Sequence, residues 1–371
     1  MKVLLINTVP LEANGISTFI INSANVMSKR NINVTISAPN VIDKKLKLDL
    51  RANNISLVEI PNRMHNPINY YFKLKQVMQN NHYDLVHVNG NSTTMAIELL
   101  AAKHADIKLR IAHSHNTTTE HPLINKLLRR TFESNVNARL ACNEAAGQWL
   151  FKNKNYTVIE NGIFLKKYIF NNNIRNKIRD KYKIVKDDIV IGHVGMFNYQ
   201  KNQQFLVKLL KDLGSKYKLM LIGDGPNLKQ IKEEVKKLNL QDRIIFTGVV
   251  NNVFDYLSSF DVFMLPSKFE GQPFVVIEAL ASGLPIIVSK NVSKEIDLTN
   301  TVKFASLNNI SLWKNIINAI NIDNELRKNK SMSNIKVLRK KGYDTEENVN
   351  KVLIPFYKNH LKVINPKNIE K

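Results

Sequence analysis

The chain of 371 residues predicts an α/β protein of two Rossmann-like domains, each built on a parallel sheet. The length exceeds one comfortable core and suits two ordinary domains. Short β-rich runs alternate with longer amphipathic stretches from the first residue onward, as strands joined by crossover helices do. That rhythm stops at a polar, Asn- and Lys-rich segment and restarts at Ile189.

Strands are expected at 2–8, 33–38, 56–60, 84–89, 109–113, 139–143 and 157–160, then at 189–194, 218–222, 243–247, 261–265 and 285–289. The hinge is expected at the Asn161-Gly162 turn dipeptide. The divisions are then residues 1–165 as the N-terminal domain, 166–186 as a linker and 187–343 as the C-terminal domain. A last helical stretch within 344–371 has no following strand to cross to and is expected to pack back on the N-terminal domain.

An apolar content of 44% with 23% charged residues is ordinary for a globular protein. The single cysteine, Cys142, can form no internal disulfide and reads as a small buried hydrophobe. The apolar start, Val3 to Ile6, is shorter than a signal-peptide core, and no run of 18 apolar residues occurs. A cytoplasmic location is expected. The net charge of +23 is divided as +8 over residues 1–165 and +15 over 166–371, and suggests an anionic partner. Its densest stretches, 166–186 and 327–341, read as solvated helix faces or linker. Neither sits beside a nucleic-acid-binding motif, so no nucleic-acid partner is expected.

Sheets of this kind bind ligands at the carboxyl ends of their strands, where loops and helix N-termini present N–H groups. After the first strand, Gly15 stands where a backbone could approach a ligand. No G-x-G-x-x-G is present, which disfavours a nicotinamide or flavin dehydrogenase. After the fifth strand, His113 and His115 occupy alternate positions and share a face. No Cys or acidic cluster completes a metal set with them. In the second half, His193-Val194-Gly195-Met196 leads to Lys201, a cation near a helix start and suited to phosphates. Gly223-Asp224-Gly225-Pro226 is a tight turn after the next strand.

The strongest constellation runs from Pro266 to Pro285. Glu270 lies in a loop before a helix, where it and the amides around Gly271, Gln272, Pro273 and Phe274 can reach a ligand. Glu278 sits on an otherwise apolar helix and is costly to bury without a partner. A ribose diol is a suitable partner; a local lysine is the structural alternative.

These residues resemble the retaining glycosyltransferases of family 4, whose fold is GT-B. Ser267-x-x-Glu270-Gly271-x-Pro273-x-x-x-x-Glu278-Ala279-x-Ala281-x-Gly283-x-Pro285 matches the family's paired-glutamate motif. Gly223 to Pro226, Phe246-Thr247-Gly248 and Val158 to Ile163 match as well, so the resemblance covers nearly the whole chain. It implies two domains with parallel sheets facing a central cleft and a nucleotide-diphosphate sugar bound between them. Glu278 would hold the ribose, Glu270 and the 271–274 amides the sugar, and Lys201 the diphosphate. Gly15, Gly195, Met196, Gly223 and Gly225 would line the donor site. His115 rather than His113 would stand near the reacting centre, with Glu270 and Lys201 completing it. Retention would follow front-face attack assisted by the leaving diphosphate. No D-x-D motif occurs, so neither metal nor cofactor is expected.

One departure matters. Met196 stands where the family usually has an arginine that pairs with the lysine against the diphosphate. Loss of such a donor is expected to cost roughly 100-fold in rate. The reading is therefore a hexosyltransferase moving a sugar from a UDP-hexose or UDP-acetamidohexose to a lipid-linked or polysaccharide acceptor, in capsule or exopolysaccharide synthesis. A peripheral site on the inner face of the plasma membrane is expected, through the apolar and basic stretches 69–75 and 123–130. The alternatives are a non-catalytic glycosyltransferase-like partner subunit and a nucleotide-sugar epimerase.

Overall fold

The computed structural model describes residues 1–364 except Ala13, Glu120, Gly271 and Gln272. The chain divides into two compact units, Met1–Ile163 with the segment from Gly342 onward, and Phe164–Lys341.

In the first unit β1 (Lys2–Asn7), β2 (Asn33–Ala38), β3 (Ile55–Glu59), β4 (Leu85–Gly90), β5 (Leu109–Ser114), β6 (Ala138–Ala141) and β7 (Thr157–Val158) form one parallel sheet. Its order is β3-β2-β1-β4-β5-β6-β7. Chain direction across the sheet reverses between β1 and β4, the position at which such sheets open a crevice for ligands. Central strands read as nearly continuous apolar runs because helices cover both faces; Val3 to Ile6 is fully buried.

The second unit repeats the plan with β8 (Ile189–Val194), β9 (Tyr217–Ile222), β10 (Ile244–Gly248), β11 (Val262–Leu265), β12 (Ile286–Ser289) and β13 (Val302–Ala305), in the order β10-β9-β8-β11-β12-β13. Here the reversal falls between β8 and β11. The edge strand β13 was not expected: four residues with Lys303 among them carry too little apolar pattern to stand out.

The lysines of the two basic stretches are mostly exposed, as read, and the departure is at three arginines. Residues 166–186 contain the helix Asn172–Lys181, packed within the second unit. Arg175 and Arg179 on it are buried and paired with Asp261 at 2.6 and 3.0 Å. Arg327, on the helix Asn324–Lys340, is buried as well. These charges are interior because their acceptors lie far away in sequence: the carbonyls of Leu257, Ser258, Ser259 and Phe260, where the helix Val253–Ser259 ends. Helix ends leave such carbonyls without intrahelical partners.

The final segment is tied to the first unit. Ile163 and Asp344 form a parallel bridge, and Asn348 Nδ2 donates to the Glu160 carbonyl at 2.8 Å. The helix Ile354–Ile364 then sets Tyr357 against β4.

Candidate active site

In the second unit the loops after β8 and β11 are joined. Asn202 Nδ2 donates to the Pro266 carbonyl at 3.1 Å, Gln200 Nε2 to the Phe269 carbonyl at 3.0 Å, and the Lys268 N–H to the Gln200 carbonyl at 2.8 Å. Lys201 and Glu270 meet across this joint. Nζ of Lys201 lies 2.6 Å from Oε1 of Glu270, and Ser267 Oγ donates to the same oxygen at 3.1 Å. Both side chains are mostly buried, with 18% and 10% exposed, so solvent screens the pair only partly. Lys201 lies two residues before the helix Gln203–Lys211 rather than inside its first turn.

The glycines support this loop. A Cβ on Gly195 would stand 3.2 Å from Lys201 Cδ. Gly223 and Gly225 have φ of +133° and +154°, and a Cβ on either would collide with the Gly195 or Phe197 backbone, at 2.2 and 2.5 Å. The Gly223-Asp224-Gly225 turn thus lies directly against residues 195–197, and only glycine permits that approach. Met196 is 57% exposed and brings no charge.

Glu278, in the second turn of the helix Phe274–Ala281, accepts a hydrogen bond from the Tyr168 hydroxyl at 2.8 Å. Burial raises its pKa and the Tyr168 bond partly offsets this. Its partner is therefore a tyrosine 110 residues away and not a local lysine. Pro273 precedes the helix and has no N–H to offer; Phe274 opens it. Gly271 and Gln272 lie outside the described residues.

Three supporting residues escaped the sequence reading. His193 is fully buried; its Nδ1–H donates to the Met264 carbonyl at 2.9 Å, and its Nε2 accepts from Gln203 Nε2 at 3.2 Å. Burial lowers its pKa to about 4 against the pull of the Met264 bond, and nearby Lys201 adds to the lowering. A neutral His193 adds no charge beside Lys201. Its position at the end of β8 is the only signal sequence could offer. Tyr168 and Gln203 had none.

In the first unit Gly15 opens the helix Gly15–Ser28, capped by Asn14, whose side chain accepts the Ser17 N–H at 2.9 Å. His113 and His115 do share a face, with ring centroids 4.0 Å apart. His113 is fully buried and its Nδ1 lies 3.1 Å from His87 Nε2. His115, just past the end of β5, is partly exposed and holds Asn89 Oδ1 at 3.0 Å. Among the described residues no group of three or more His, Cys, Asp or Glu side chains is placed to hold a metal.

Comparison with known proteins agrees with this architecture. Residues 174–333 match the family model for glycosyl transferases group 1, and residues 13–167 match that for Glycosyltransferase Family 4. The chain is 32% identical over 305 residues to the "Putative glycosyltransferase EpsF" of Bacillus subtilis (strain 168), covering 78% of each chain. It is 28% identical over 257 residues to the UDP-Gal:alpha-D-GlcNAc-diphosphoundecaprenol alpha-1,3-galactosyltransferase of Escherichia coli, covering 64% of this chain and 63% of that one. In structure it resembles HepE of Anabaena, solved with UDP and glucose, with a TM-score of 0.75 at 17% identity over 96% of this chain and 99% of that one.

Proposed function

Because the chain belongs to glycosyltransferase family 4, we propose that it transfers a hexose or acetamidohexose from a UDP-sugar, with retention, to a lipid-linked or polysaccharide acceptor. The observation that carries this reading is the joint of the β8 and β11 loops: Lys201, Glu270 and Ser267 in one hydrogen-bonded group, beside a helix that bears a partly buried Glu278. Lys201 would take the leaving diphosphate and Glu270 the sugar hydroxyls. Glu278 would exchange Tyr168 for the ribose diol, or share it. The likeness to a transferase named for UDP-galactose and a diphosphoundecaprenol acceptor supports both substrate classes. No metal enters this scheme, since the cation at the diphosphate is a lysine.

Calorimetry with UDP, GDP and ADP, with magnesium or with a chelator, tests the donor assignment. UDP is expected to bind equally under both conditions, and Glu278→Ala to weaken it about tenfold or more, the worth of a hydrogen bond to a charged group. Binding of GDP or ADP alone would rename the base. No binding of any of the three would leave the partner-subunit reading, which exposed and uncharged Met196 favours.

The acceptor half has its own test. The helix Pro67–Asn81 buries Tyr70, Leu74 and Met78 while Ile68 and Phe72 stay exposed. The short helix Pro122–Leu127 buries none of its residues and exposes Leu123 and Leu127. With Lys73, Lys75 and Lys126 among them, these side chains suit an anionic lipid surface. No helix of the described residues is long and apolar enough to cross a membrane. The protein is expected to sediment with vesicles containing phosphatidylglycerol at low salt, and Phe72→Ser with Leu127→Ser to lose most of that binding. Equal binding to neutral vesicles would remove the anionic preference, and binding to neither would remove the membrane from the proposal.

A further inference from the structure

The first unit carries a column of rings behind His115. The Tyr357 hydroxyl lies 2.6 Å from His87 Nδ1, His87 Nε2 lies 3.1 Å from His113 Nδ1, and the His113 ring stands against His115. Phe19 closes on all three histidines. Beside this column, near the end of β4, Asn89 is fully buried.

The amide of Asn89 can face only one way. Its Nδ2 donates to the His87 carbonyl at 3.2 Å and approaches the Ile6 carbonyl at 3.4 Å, which leaves Oδ1 toward His115 Nε2 at 3.0 Å. Turned over, the amide oxygen would oppose two carbonyl oxygens. An amide oxygen accepts and never donates, so His115 Nε2 must carry the hydrogen. A neutral imidazole then has a lone pair at Nδ1, and this buried atom has no partner among the described residues.

We propose that Asn89 is a positioning residue that holds His115 as the Nε2–H tautomer, so that Nδ1 is a fixed acceptor for a substrate hydroxyl. This rests on the family 4 reading, which puts His115 at the reacting centre, and deepens it: the histidine orients a hydroxyl and does not relay a proton. The surroundings agree. Burial lowers the pKa of His115 to about 3. The titratable groups that face it, His113, His87 and behind them Tyr357, are held uncharged by burial as well. A ring locked by its second nitrogen is oriented as metal-binding histidines are by their outer partners.

The test uses the full chain labelled with 15N at histidine. Two-bond proton–nitrogen spectra are recorded from pH 4 to 8, with His115→Gln for assignment. The wild type is expected to show a neutral His115 with the Nε2–H pattern across this range. Asn89→Leu is expected to mix the tautomers and lower kcat about 10- to 100-fold, as loss of an outer partner does, with KM for the donor changed less than about threefold. Asn89→Asp, nearly the same size, keeps the acceptor and adds a charge. It is expected to retain the tautomer, bring His115 protonation up into the measured range and give the pH profile a new acid limb. A wild-type Nδ1–H pattern, titration near the ordinary histidine value, or an unchanged tautomer in Asn89→Leu would overturn the proposal. The spectra decide the tautomer whether or not donor is consumed, so absence of turnover counts against the transferase reading alone.

Discussion

Replacing Lys201 by alanine is expected to lower donor turnover by about 100- to 1000-fold, the loss found when one preorganised donor to a developing anion is removed. The expectation is at the upper end because Met196 brings no second cation to this loop. The pair with Glu270 sharpens the prediction. In the free protein the ammonium is held 2.6 Å from a carboxylate that also takes the Ser267 hydroxyl, so it is positioned before any diphosphate arrives. Alanine removes the cation and leaves Glu270 mostly buried, with Ser267 as its remaining side-chain partner among the described residues. Lys201→Ala with Glu270→Gln relieves that unpaired charge. If the loss in the single variant came from a stranded Glu270, the double variant would return to the level of Glu270→Gln alone; if it came from the missing cation, it would stay well below that level. UDP release from UDP-sugar, followed with thermal melting of each variant, is the measurement. Turnover within about twofold of wild type in Lys201→Ala would remove the lysine from the diphosphate. In the opposite direction, Met196→Arg is expected to raise turnover, since it restores a cation that the family usually carries at this position.

How far the sequence reaches is clear at this same joint. Both β8 and β11 are legible as apolar runs bounded by turn residues, and the loops after them hold Gly195, Met196, Lys201 and Glu270 among the donor residues that were singled out. What joins those loops is not legible. Gln200 reaches Phe269 and Asn202 reaches Pro266 across more than sixty residues, and no local pattern marks either pair. Tyr168 is invisible for the same reason, although a glutamate on an apolar helix announced that some partner had to exist. The histidines divide similarly. Spacing put His113 and His115 on one face, yet His87 and Tyr357 complete the column from another strand and from the last helix. β13 was missed because a short edge strand needs few apolar residues. Three arginines of the basic stretches were misread because charge density alone does not tell a solvated side chain from a guanidinium group that ends a helix elsewhere.

Those arginines give the largest expected effect on stability. Asp261 receives Arg175 at 2.6 Å, Arg179 at 3.0 Å and the Val190 N–H at 2.7 Å, all buried. Arg327 donates to the same stretch of carbonyls, to Phe260 at 2.5 Å and to Leu257 at 2.7 Å. Burial, with Arg175 nearby, lowers its pKa to about 9. One carboxylate thus serves two buried cations directly and relieves a third. Asp261→Asn preserves size and one acceptor but removes the only charge of opposite sign that the arginines touch among the described residues. Breaking a buried pair in this way is expected to cost about 3–5 kcal/mol. For a unit of this length that corresponds to a fall in Tm of about 6–20 °C, read from urea and thermal unfolding of the full chain. Arg179→Met with Asp261→Asn should be less damaging than the two single effects added, because each removes part of what the other strands. Additive losses would mean that the carbonyls alone satisfy the guanidinium groups and that Asp261 is held for its bond to Val190. The arginines would then act only as caps on the helix Val253–Ser259, and the helix Asn172–Lys181 would stay docked by its hydrogen bonds without the ion pair.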